Sequence, residues 1–471
     1  MRSITAFWVL CLTGVVVAGT GKVEAQTWPD GASVDSARSG IFSSMSLDER
    51  RRRSAALLAG GKRVTFQDVL RDPDNVALNI AYARSQIANR DLLGASATLE
   101  RVLLIAPDNL LARLLYGVTL YRLGSNVEAE KHLRIVLKFR LPPRVRSEIE
   151  IYVEDITHRK QQTRGQLFLY SGVQFDTNRN VGPNGGLIET TGGVVPIAGR
   201  NRAKSDWGLT TIARIRVDHD LKMARRHRVF AEVGLYRTDQ ARLHRFSFQT
   251  VNVTVGAVVD FGVWNLKPEA FVQYSTLSHE FLSRAIGGRL TGQYQFDRTI
   301  DLFAWGSAAA VDYNGTSETP ALRRRSGMEW RFGIRGRNLY HAVRRVSGTV
   351  EFTYRAATAS WYSYSGVHVY LDHEWRLPRG QYLLTHLGYA YHNYQGRDPL
   401  DGVGAARRDH RIRARMIYGV PLLTIIPGLP KIFDRSAITG LVETTVNRSN
   451  IRNYHHTNWR FAVGLTKRFD F

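Results

Sequence analysis

The chain is poor in cysteine: Cys11 is the single thiol in 471 residues. One cysteine excludes an internal disulfide framework and a cysteine-based metal site. Cys11 also lies in an N-terminal stretch that we expect to be removed, and no lipobox surrounds it, so no lipid anchor is expected. The mature chain therefore carries no thiol chemistry.

Long hydrophobic runs are missing as well. No stretch of the mature chain reaches the ~20 apolar residues that a membrane-spanning helix needs. The mean hydropathy is −0.25, and 44% of the residues are apolar. These values suit a soluble protein, but they also suit a transmembrane β-barrel, in which only every second strand residue faces lipid.

Acidic residues are scarce relative to basic ones. Lys and Arg number 65 against 41 Asp and Glu, which gives a formal net charge of +24. Such an excess favours an anionic partner, such as lipopolysaccharide, anionic lipid, an acidic polypeptide or nucleic acid. Nucleic acid is the least favoured of these, because the basic residues are spread along the chain and the expected compartment is wrong.

The N-terminus has the pattern of a secretory signal peptide. Arg2 precedes an apolar run at 7–18, and Val23 and Ala25 place small residues at −3 and −1 of a cleavage site before Gln26. We expect residues 1–25 to be removed by cleavage between Ala25 and Gln26. An N-terminal anchor is the alternative, but the run is too short to span a bilayer. Residues 26–53 show little pattern and are expected to be a flexible leader.

Residues 54–160 carry a repeat. The segment 72–75, Asp-Pro-Asp-Asn, returns at 106–109 as Ala-Pro-Asp-Asn, and this offset equals the tetratricopeptide period of about 34 residues. Small and apolar positions keep the same offset, at Ala95 and Ala129 and at Leu99 and Leu133. We predict an α-helical tetratricopeptide-type solenoid that ends with a helix near 145–159. Such solenoids usually hold a peptide or protein partner, and a structural spacer or plug is the alternative.

After Gln162 the hydrophobic period changes to two. In the last segment Phe461, Val463, Leu465, Phe469 and Phe471 share one face, which Lys467 interrupts, while small or charged residues share the other. An apolar face towards lipid and a polar face towards a watery lumen are typical of a transmembrane strand. The aromatic end, Phe469 and Phe471, resembles the C-terminal signal that the barrel-assembly machinery reads.

The same alternation predicts an antiparallel transmembrane β-barrel over residues 165–471. The predicted strands lie near 166–176, 205–218, 227–237, 247–262, 266–276, 284–297, 299–313, 326–338, 346–358, 364–376, 380–394, 408–420, 435–446 and 458–471. Fourteen is an even number, as single-chain bacterial barrels require. The connection 177–204 is the longest and is expected outside the cell, whereas 421–434 is unusually long for a periplasmic turn. A soluble β-sandwich or propeller is the alternative.

Many arginines fall on the predicted inward face, with acids such as Glu329 and Glu443 among them. The candidate lumen charges are Arg214, Arg216, Arg331, Arg335, Arg411, Arg413 and Arg415. One interpretation is a ladder of paired charges that stiffens the barrel. The other is a conduit wall to which a polar or partly unfolded passenger does not adhere. Both can hold together.

Candidate sites for chemistry are few. Asp176, Asn178 and Asn180 could bind a cation, but an Asx-type turn that closes the first strand is the simpler interpretation. His386 and His392 share a lumen face, yet the strand between them holds them ~20 Å apart, too far to ligate one ion. No local Ser/His arrangement suggests a hydrolase. We therefore expect no enzyme activity, no cofactor and no metal.

The first predicted strand ends in Gly-Val-Gln-Phe-Asp-Thr-Asn-Arg-Asn-Val at 172–181. Together with the repeat domain, fourteen strands and the Phe471 end, this resembles the surface lipoprotein assembly modulators (Slam proteins). The resemblance covers most of the mature chain. It implies a periplasmic tetratricopeptide domain before a fourteen-stranded barrel, and transport of lipoproteins or soluble proteins to the cell surface.

These features together predict an outer-membrane translocator whose N-terminal domain lies in the periplasm. Its expected partners are a client lipoprotein or secreted polypeptide, the outer membrane with its lipopolysaccharide, and the barrel-assembly machinery during biogenesis. A polysaccharide export pore and a passive porin with a helical accessory domain are the alternatives.

Overall fold

The computed structural model describes residues 64–471, except 90, 191, 198, 224–226, 298, 316–319, 342 and 400–403. The predicted signal peptide with its cleavage site at Ala25 and Gln26, the leader 26–53 and the start of the predicted repeat domain lie outside these residues. The described chain divides after residue 162 into two compact units, and each is described by itself.

The first unit is helical. Its helices are α1 (Phe66–Arg71), α2 (Val76–Ala88), α3 (Leu92–Ile105), α4 (Leu110–Leu123), α5 (Asn126–Leu137) and α6 (Pro143–Lys160). Asn75 and Asn109, one repeat period apart, cap α2 and α4, because each side-chain oxygen accepts a hydrogen bond from a backbone N–H of the first turn. No helix among the described residues is long and apolar enough to cross a membrane.

The core of the helical unit uses the positions that repeat in the sequence. Ala95, Ala129, Leu99 and Leu133 are all fully buried in one apolar cluster. Gly117 on α4 lies so close to Leu133 that an added Cβ would approach its Cδ2 to 2.9 Å. Small residues therefore let neighbouring helices pack closely. The assignment of this unit to the tetratricopeptide class stays a prediction.

The second unit is a closed antiparallel barrel of fourteen strands, which confirms the predicted fold and strand number. The strands are β1 (Thr163–Asp176), β2 (Asp206–Asp220), β3 (Arg228–Gln240), β4 (Phe248–Asp260), β5 (Trp264–Leu277), β6 (Glu280–Gln295), β7 (Ile300–Tyr313), β8 (Gly327–His341), β9 (Arg344–Ala357), β10 (Tyr364–Arg376), β11 (Tyr382–Arg397), β12 (Ala406–Pro421), β13 (Ser436–Ser449) and β14 (His456–Asp470). Each strand pairs with its neighbours in sequence. β1 pairs with β14 from Gln166–Asp470 to Asp176–Arg460 and closes the sheet.

The two ends of the barrel differ in their connections. The long-loop end, where β1 stops, carries the connection 177–205, and the short-turn end carries 261–263 and 342–343. A small hairpin, Leu187–Thr190 paired with Gly193–Pro196, lies within the 177–205 connection. The sequence did not suggest it, because such short strands do not show an alternating pattern.

The connection between β12 and β13 contains a short helix, α7 (Leu422–Ile425). The Thr424 hydroxyl donates to the carbonyl of Arg379 in a neighbouring turn at 3.0 Å. Lys467 on β14 donates from Nζ to the carbonyls of Ile432 and Asp434 in this connection. The charge that interrupts the apolar face of β14 is therefore used to hold this connection.

Candidate functional site: the barrel interior

The outer wall of the barrel is apolar. Along β14, Trp459, Phe461, Val463, Leu465 and Phe469 are exposed, whereas the alternate residues Ala462, Gly464 and Thr466 are buried. This alternation places one set outside and the other towards the interior. Exposed Val, Leu, Ile and Phe side chains recur on the same outward face of other strands. A water-soluble barrel would bury such side chains, so this wall is suited to lipid.

Aromatic residues mark both ends of the apolar wall. Phe175 and Trp207 pair at the long-loop end with ring centroids 4.9 Å apart, and Trp264 and Tyr294 pair at the short-turn end at 4.5 Å. On β5, Trp264 and Tyr274 are separated by ~34 Å along the strand. At a strand tilt of ~40° this corresponds to a band ~25 Å tall, the height of an outer-membrane apolar belt.

The candidate lumen charges all lie at inward positions of their strands. Arg214 and Arg216 are on β2, Arg331 and Arg335 on β8, and Arg411, Arg413 and Arg415 on β12. Each alternates with exposed apolar neighbours, such as Phe332 and Ile412. Their role as a conduit wall stays a prediction.

One interior network is centred on Glu329. Arg331 lies 2.8 Å from Glu329 and 3.5 Å from Glu351, and Arg355 lies 3.6 Å from Glu329. All four side chains are buried. Two guanidinium groups thus share two carboxylates, so that no charge of this group is left uncompensated.

A second network is centred on Asp176, at the end of β1. Its carboxylate accepts hydrogen bonds from Arg460 at 3.0 Å, Asn458 at 2.7 Å and Gln174 at 3.1 Å. Arg460 also reaches Glu443, at 3.5 Å. Because Arg460 and Asn458 belong to β14, Asp176 ties the first strand to the last. It acts as a closing contact between the chain ends of the barrel.

Asn178 and Asn180 hold the 177–205 connection in place. Asn178 accepts from the backbone N–H of Gly182 and donates to its carbonyl, both at 2.8 Å. Asn180 accepts from the N–H of Lys204 at 2.7 Å and donates to the carbonyl of Arg202 at 2.6 Å. These local bonds are those of a loop-closing motif, and they leave both amides engaged with backbone.

Side chains from the connections fill part of the mouth at the long-loop end. Phe246 and Leu322 belong to two different connections, and both are buried in a cluster with inward-facing strand residues. The strand residues of this mouth cluster are Tyr236, Phe248, Leu277, Leu282, Val311 and Tyr313. Folding of loops onto inward side chains narrows the route through the barrel.

Arg179, in the 177–205 connection, is buried beside the mouth cluster and donates from Nη2 to the carbonyl of Phe246 at 2.8 Å. Burial lowers the pKa of its guanidinium, and the nearby Asp176 carboxylate opposes that shift. Arg179 therefore links the mouth cluster to the Asp176 network. Sequence reasoning singled out the residues on either side of Arg179 but not Arg179 itself.

The two histidines that the sequence singled out, His386 and His392, have different partners. His386 Nδ1 lies 2.7 Å from Asp372, whereas His392 Nε2 lies 2.8 Å from Nε2 of His368 on the neighbouring strand. Sequence reasoning missed His368, because only strand register places it beside His392. In the described part of the chain, no three His, Cys, Asp or Glu side chains are grouped so that they could hold a metal ion.

The C-terminal aromatics lie at the short-turn end. Phe469 is exposed on the outer wall, and the backbone of Phe471 exchanges hydrogen bonds with Gly165, at 3.0 and 2.6 Å. The Phe471 ring occupies the space over Gly165, where an added Cβ would lie 2.0 Å from it. Their role as an assembly signal stays a prediction.

No protein-family model matches the chain, and no curated protein matches it. Solved structures that are similar to it include OccAB3 from Acinetobacter baumannii, with 8% identity, coverage of 66% of this chain and 99% of that chain, and a TM-score of 0.35. A loop-deletion mutant of the Vibrio cholerae outer membrane protein OmpT has 7% identity, coverage of 66% and 100%, and a TM-score of 0.37. A bacterial polysaccharide outer membrane secretin has 14% identity, coverage of 65% and 98%, and a TM-score of 0.32. Scores this low carry no argument about activity, so function is inferred from the chain's own geometry.

Proposed function

We propose that this protein is an outer-membrane translocator, in which the helical unit captures a periplasmic client and the barrel delivers that client to the cell surface. The client is a lipoprotein or a small secreted polypeptide. The observation that carries this proposal is the pairing, in one chain, of a helical unit with exposed apolar side chains and a barrel with a charged interior.

Membrane placement rests on the outer wall of the barrel. Its apolar belt has the height of an outer membrane, and aromatic pairs mark both ends. Bacterial barrels of this kind have short periplasmic turns and longer outer loops. We therefore place the 177–205 connection outside the cell and the start of β1 at the periplasmic side. The helical unit, which precedes β1, is then periplasmic.

Client capture rests on a repeated surface feature of the helical unit. Leu93 and Val127 occupy equivalent positions of successive repeats, near the starts of α3 and α5. They are 73% and 65% exposed. A helical surface that shows apolar side chains at a fixed repeat offers successive contacts to an extended or amphipathic peptide.

Delivery rests on the barrel interior. The charges around Glu329 and around Asp176 are paired with one another, so they offer few free charges to which a passenger could bind strongly. The mouth cluster covers part of the exit, and in our proposal a client has to displace it. The resemblance to Slam proteins, which rests on residues 172–181 taken together with the repeat domain, the fourteen strands and the Phe471 end, agrees with this scheme.

Two other functions fit the same architecture. A polysaccharide export pore would join a helical repeat domain to a barrel for a glycan cargo, and a passive porin would conduct small solutes. A neighbouring gene for a glycan synthase would favour export of polysaccharide. A large and steady single-channel conductance in planar bilayers would favour the porin.

The test is surface display of candidate clients, in cells that produce either the full chain or a chain without residues 54–160. We expect display to fall to background without the helical unit while the barrel still reaches the outer membrane. A second variant, Leu93→Glu with Val127→Glu, alters only exposed side chains and is expected to reduce display several-fold.

The matched control is Leu104→Glu. Leu104 is 78% exposed, but its counterpart in the following repeat is Lys138, so it does not belong to the repeated pair. We expect normal display with this variant. Unchanged display in both the deletion and the Leu93/Val127 variant would overturn client capture.

A further inference from the structure

Two arginines lie on the outward face of neighbouring strands at the long-loop end of the barrel. Arg408 is near the start of β12, and Arg448 is near the end of β13. Each side chain is exposed, whereas the residues before and after it are buried. This alternation shows that both side chains leave the barrel on its outer side. We call them the outer arginine pair.

Other outward arginines at the same end have acidic partners. Arg237 on β3 lies 2.7 Å from Asp239, and Arg284 on β6 lies 3.7 Å from Asp312. Each of these positive charges is thus offset by a carboxylate on the outer wall itself.

The outer arginine pair has no such partner. Among the described residues of β11, β12 and β13, no Asp or Glu occupies an outward position. Within the part of the chain that the structure describes, no acid forms an ion pair with either guanidinium group. Arg397 lies farther out on β11, but Asp398 follows it directly, so the exposed charge without an acid beside it is that of Arg408 and Arg448.

Strand register brings the two side chains close together. Arg448 is in register with His410, and Arg408 is the next outward residue of β12, so the arginines are diagonal neighbours. The Cα atoms of such neighbours lie ~7–8 Å apart, within reach of long side chains. Asn450 fixes the start of β12, because its Oδ1 accepts from the N–H of Arg408 at 2.6 Å and its Nδ2 donates to the carbonyl of Ala406 at 2.9 Å. One anion between the guanidinium groups would offset two like charges.

An aromatic and apolar surface continues from the pair along the outer wall. The Tyr389 hydroxyl lies 2.8 Å from Nδ1 of His410, and the Tyr391 ring centroid lies 5.0 Å from that of His410. Beyond these rings Leu387 and Ile412 are 52% and 45% exposed. A ligand with a phosphate group and acyl chains can therefore contact the arginines and the apolar wall together.

The pair lies at the level of lipid headgroups. Arg408 and Tyr418 mark the two ends of the outward face of β12, ~34 Å apart along the strand. A tilt of ~40° makes this the ~25 Å height of the apolar belt. With the long-loop end outside the cell, Arg408 is at the outer leaflet, whose characteristic lipid is lipopolysaccharide. This step rests on the orientation given under Proposed function and not on client capture.

We propose that Arg408 and Arg448 bind a phosphate group of lipopolysaccharide on the outward face of the barrel. The phosphate oxygens accept hydrogen bonds from both guanidinium groups, and arginine suits this role because its planar fork matches phosphate geometry. The acyl chains of the lipid A part lie on the apolar wall of β11 and β12. Lipopolysaccharide is thus a bound partner of this corner of the barrel.

The test is native mass spectrometry of the full-length protein in a neutral detergent, titrated with lipid A that carries both of its phosphates. We expect saturable addition of one lipid A per chain. Arg408→Gln with Arg448→Gln should weaken this binding by roughly tenfold or more, because two cationic contacts with the headgroup are lost. The matched control is Arg237→Gln with Arg284→Gln, which removes two paired arginines from the same end and should bind lipid A as the unaltered protein does.

Two further lipids separate the possible sources of binding. Lipid A without its phosphates should bind at least tenfold more weakly, and equal binding would overturn a phosphate site. Phosphatidylglycerol should also bind more weakly, and equal affinity would overturn recognition of lipopolysaccharide in favour of any anionic lipid. Absence of saturable lipid A binding by the unaltered protein overturns the proposal, whether or not the variants fold. Equal binding by a folded Arg408/Arg448 glutamine variant does so as well.

The orientation is checked by a separate measurement. Arg452 is exposed in the turn after β13, and Arg452→Cys should react with a membrane-impermeant maleimide in intact cells. Absence of this reaction would put the long-loop end in the periplasm and overturn the site. Client display is measured independently, so client capture and lipopolysaccharide binding can fail separately.

Discussion

The helical unit and the barrel place apolar side chains in opposite locations. In the helical unit Leu99, Leu133 and Ile149 are shut away from solvent in one core. In the barrel, Phe461 and Val463 are exposed, whereas charged side chains such as Glu329 and Arg331 are buried inside. The two regions follow the same physical rule in two solvents, because apolar groups collect away from water and, for the barrel, lipid takes the place of a core.

The largest effect is expected in the charged interior of the barrel, where charged side chains take the buried place that apolar ones hold in the helical unit. Glu329→Gln leaves Arg331 and Arg355 short of a buried partner. We expect a loss of about 3–5 kcal/mol in the free energy of unfolding, as when one partner of a buried pair is removed. Urea titration of the barrel folded into lipid vesicles measures the change.

Asp239→Asn is the control for that substitution. It breaks the exposed pair with Arg237, at 2.7 Å, and should cost no more than about 1 kcal/mol. If both substitutions lowered the free energy of unfolding equally, the interior charges would be solvated like surface charges. The barrel interior would then not differ from an ordinary protein surface.

The equivalent test of the helical unit removes apolar volume from its core. Leu133→Ala leaves a cavity among fully buried neighbours, including Gly117 and Leu99, and should destabilise the unit by about 2–5 kcal/mol. Loss of helical circular dichroism on heating the full chain measures it. Leu104→Ala, at an exposed position, should leave that transition within about 0.5 kcal/mol.

An exposed apolar side chain should tolerate a charge in the helical unit but not on the outer wall of the barrel. Val463, on the outer wall midway along β14, is 63% exposed. Val463→Arg should destabilise the barrel in vesicles by about 2–4 kcal/mol, because it places a charge near the bilayer midplane. Leu104→Arg in the helical unit should change stability by no more than about 0.5 kcal/mol. Similar costs at both sites would argue against a lipid-facing wall.

The smallest expected effect concerns the 177–205 connection at the long-loop end of the barrel. Asn178→Ala removes the bonds that close the start of the 177–205 connection, at a cost of about 1 kcal/mol. We expect faster proteolytic cleavage within this connection and little change in barrel unfolding. Val194→Ala, at an exposed position of the small hairpin, is the matched control, and cleavage at equal rates in both variants would contradict a closing role for Asn178.

Much of the barrel could be predicted because its signal is local. Alternation with a period of two identified fourteen strands, and most predicted bounds lie within a few residues of the observed ones. The start of β6 at Glu280, ahead of the predicted start at 284, was missed. Only Ser278 and His279 connect it to β5, and both have positive φ. Neither residue type is a strong predictor of such a tight turn.

The interior was harder to predict, because its contacts depend on register and on loops. Alternation placed Arg331 and Arg415 on the inward face, but it could not tell which carboxylates they meet. His368 beside His392 and Phe246 in the mouth cluster follow from strand pairing and loop paths. A sequence does not record these, since a shift of register by one residue moves every side chain to the other face.

The sequence by itself determined the barrel, its fourteen strands and which residues face inward, because these follow from a repeated local pattern. It also located the repeat offset that places Ala95 and Ala129 in the helical core. Only the tertiary structure decided which charges come together. Asp176 meets Arg460 because the ends of the chain close the sheet, and Arg408 and Arg448 become neighbours because β12 and β13 pair in one register. Pairing across strands is a property of the closed fold, and these arrangements are visible only there.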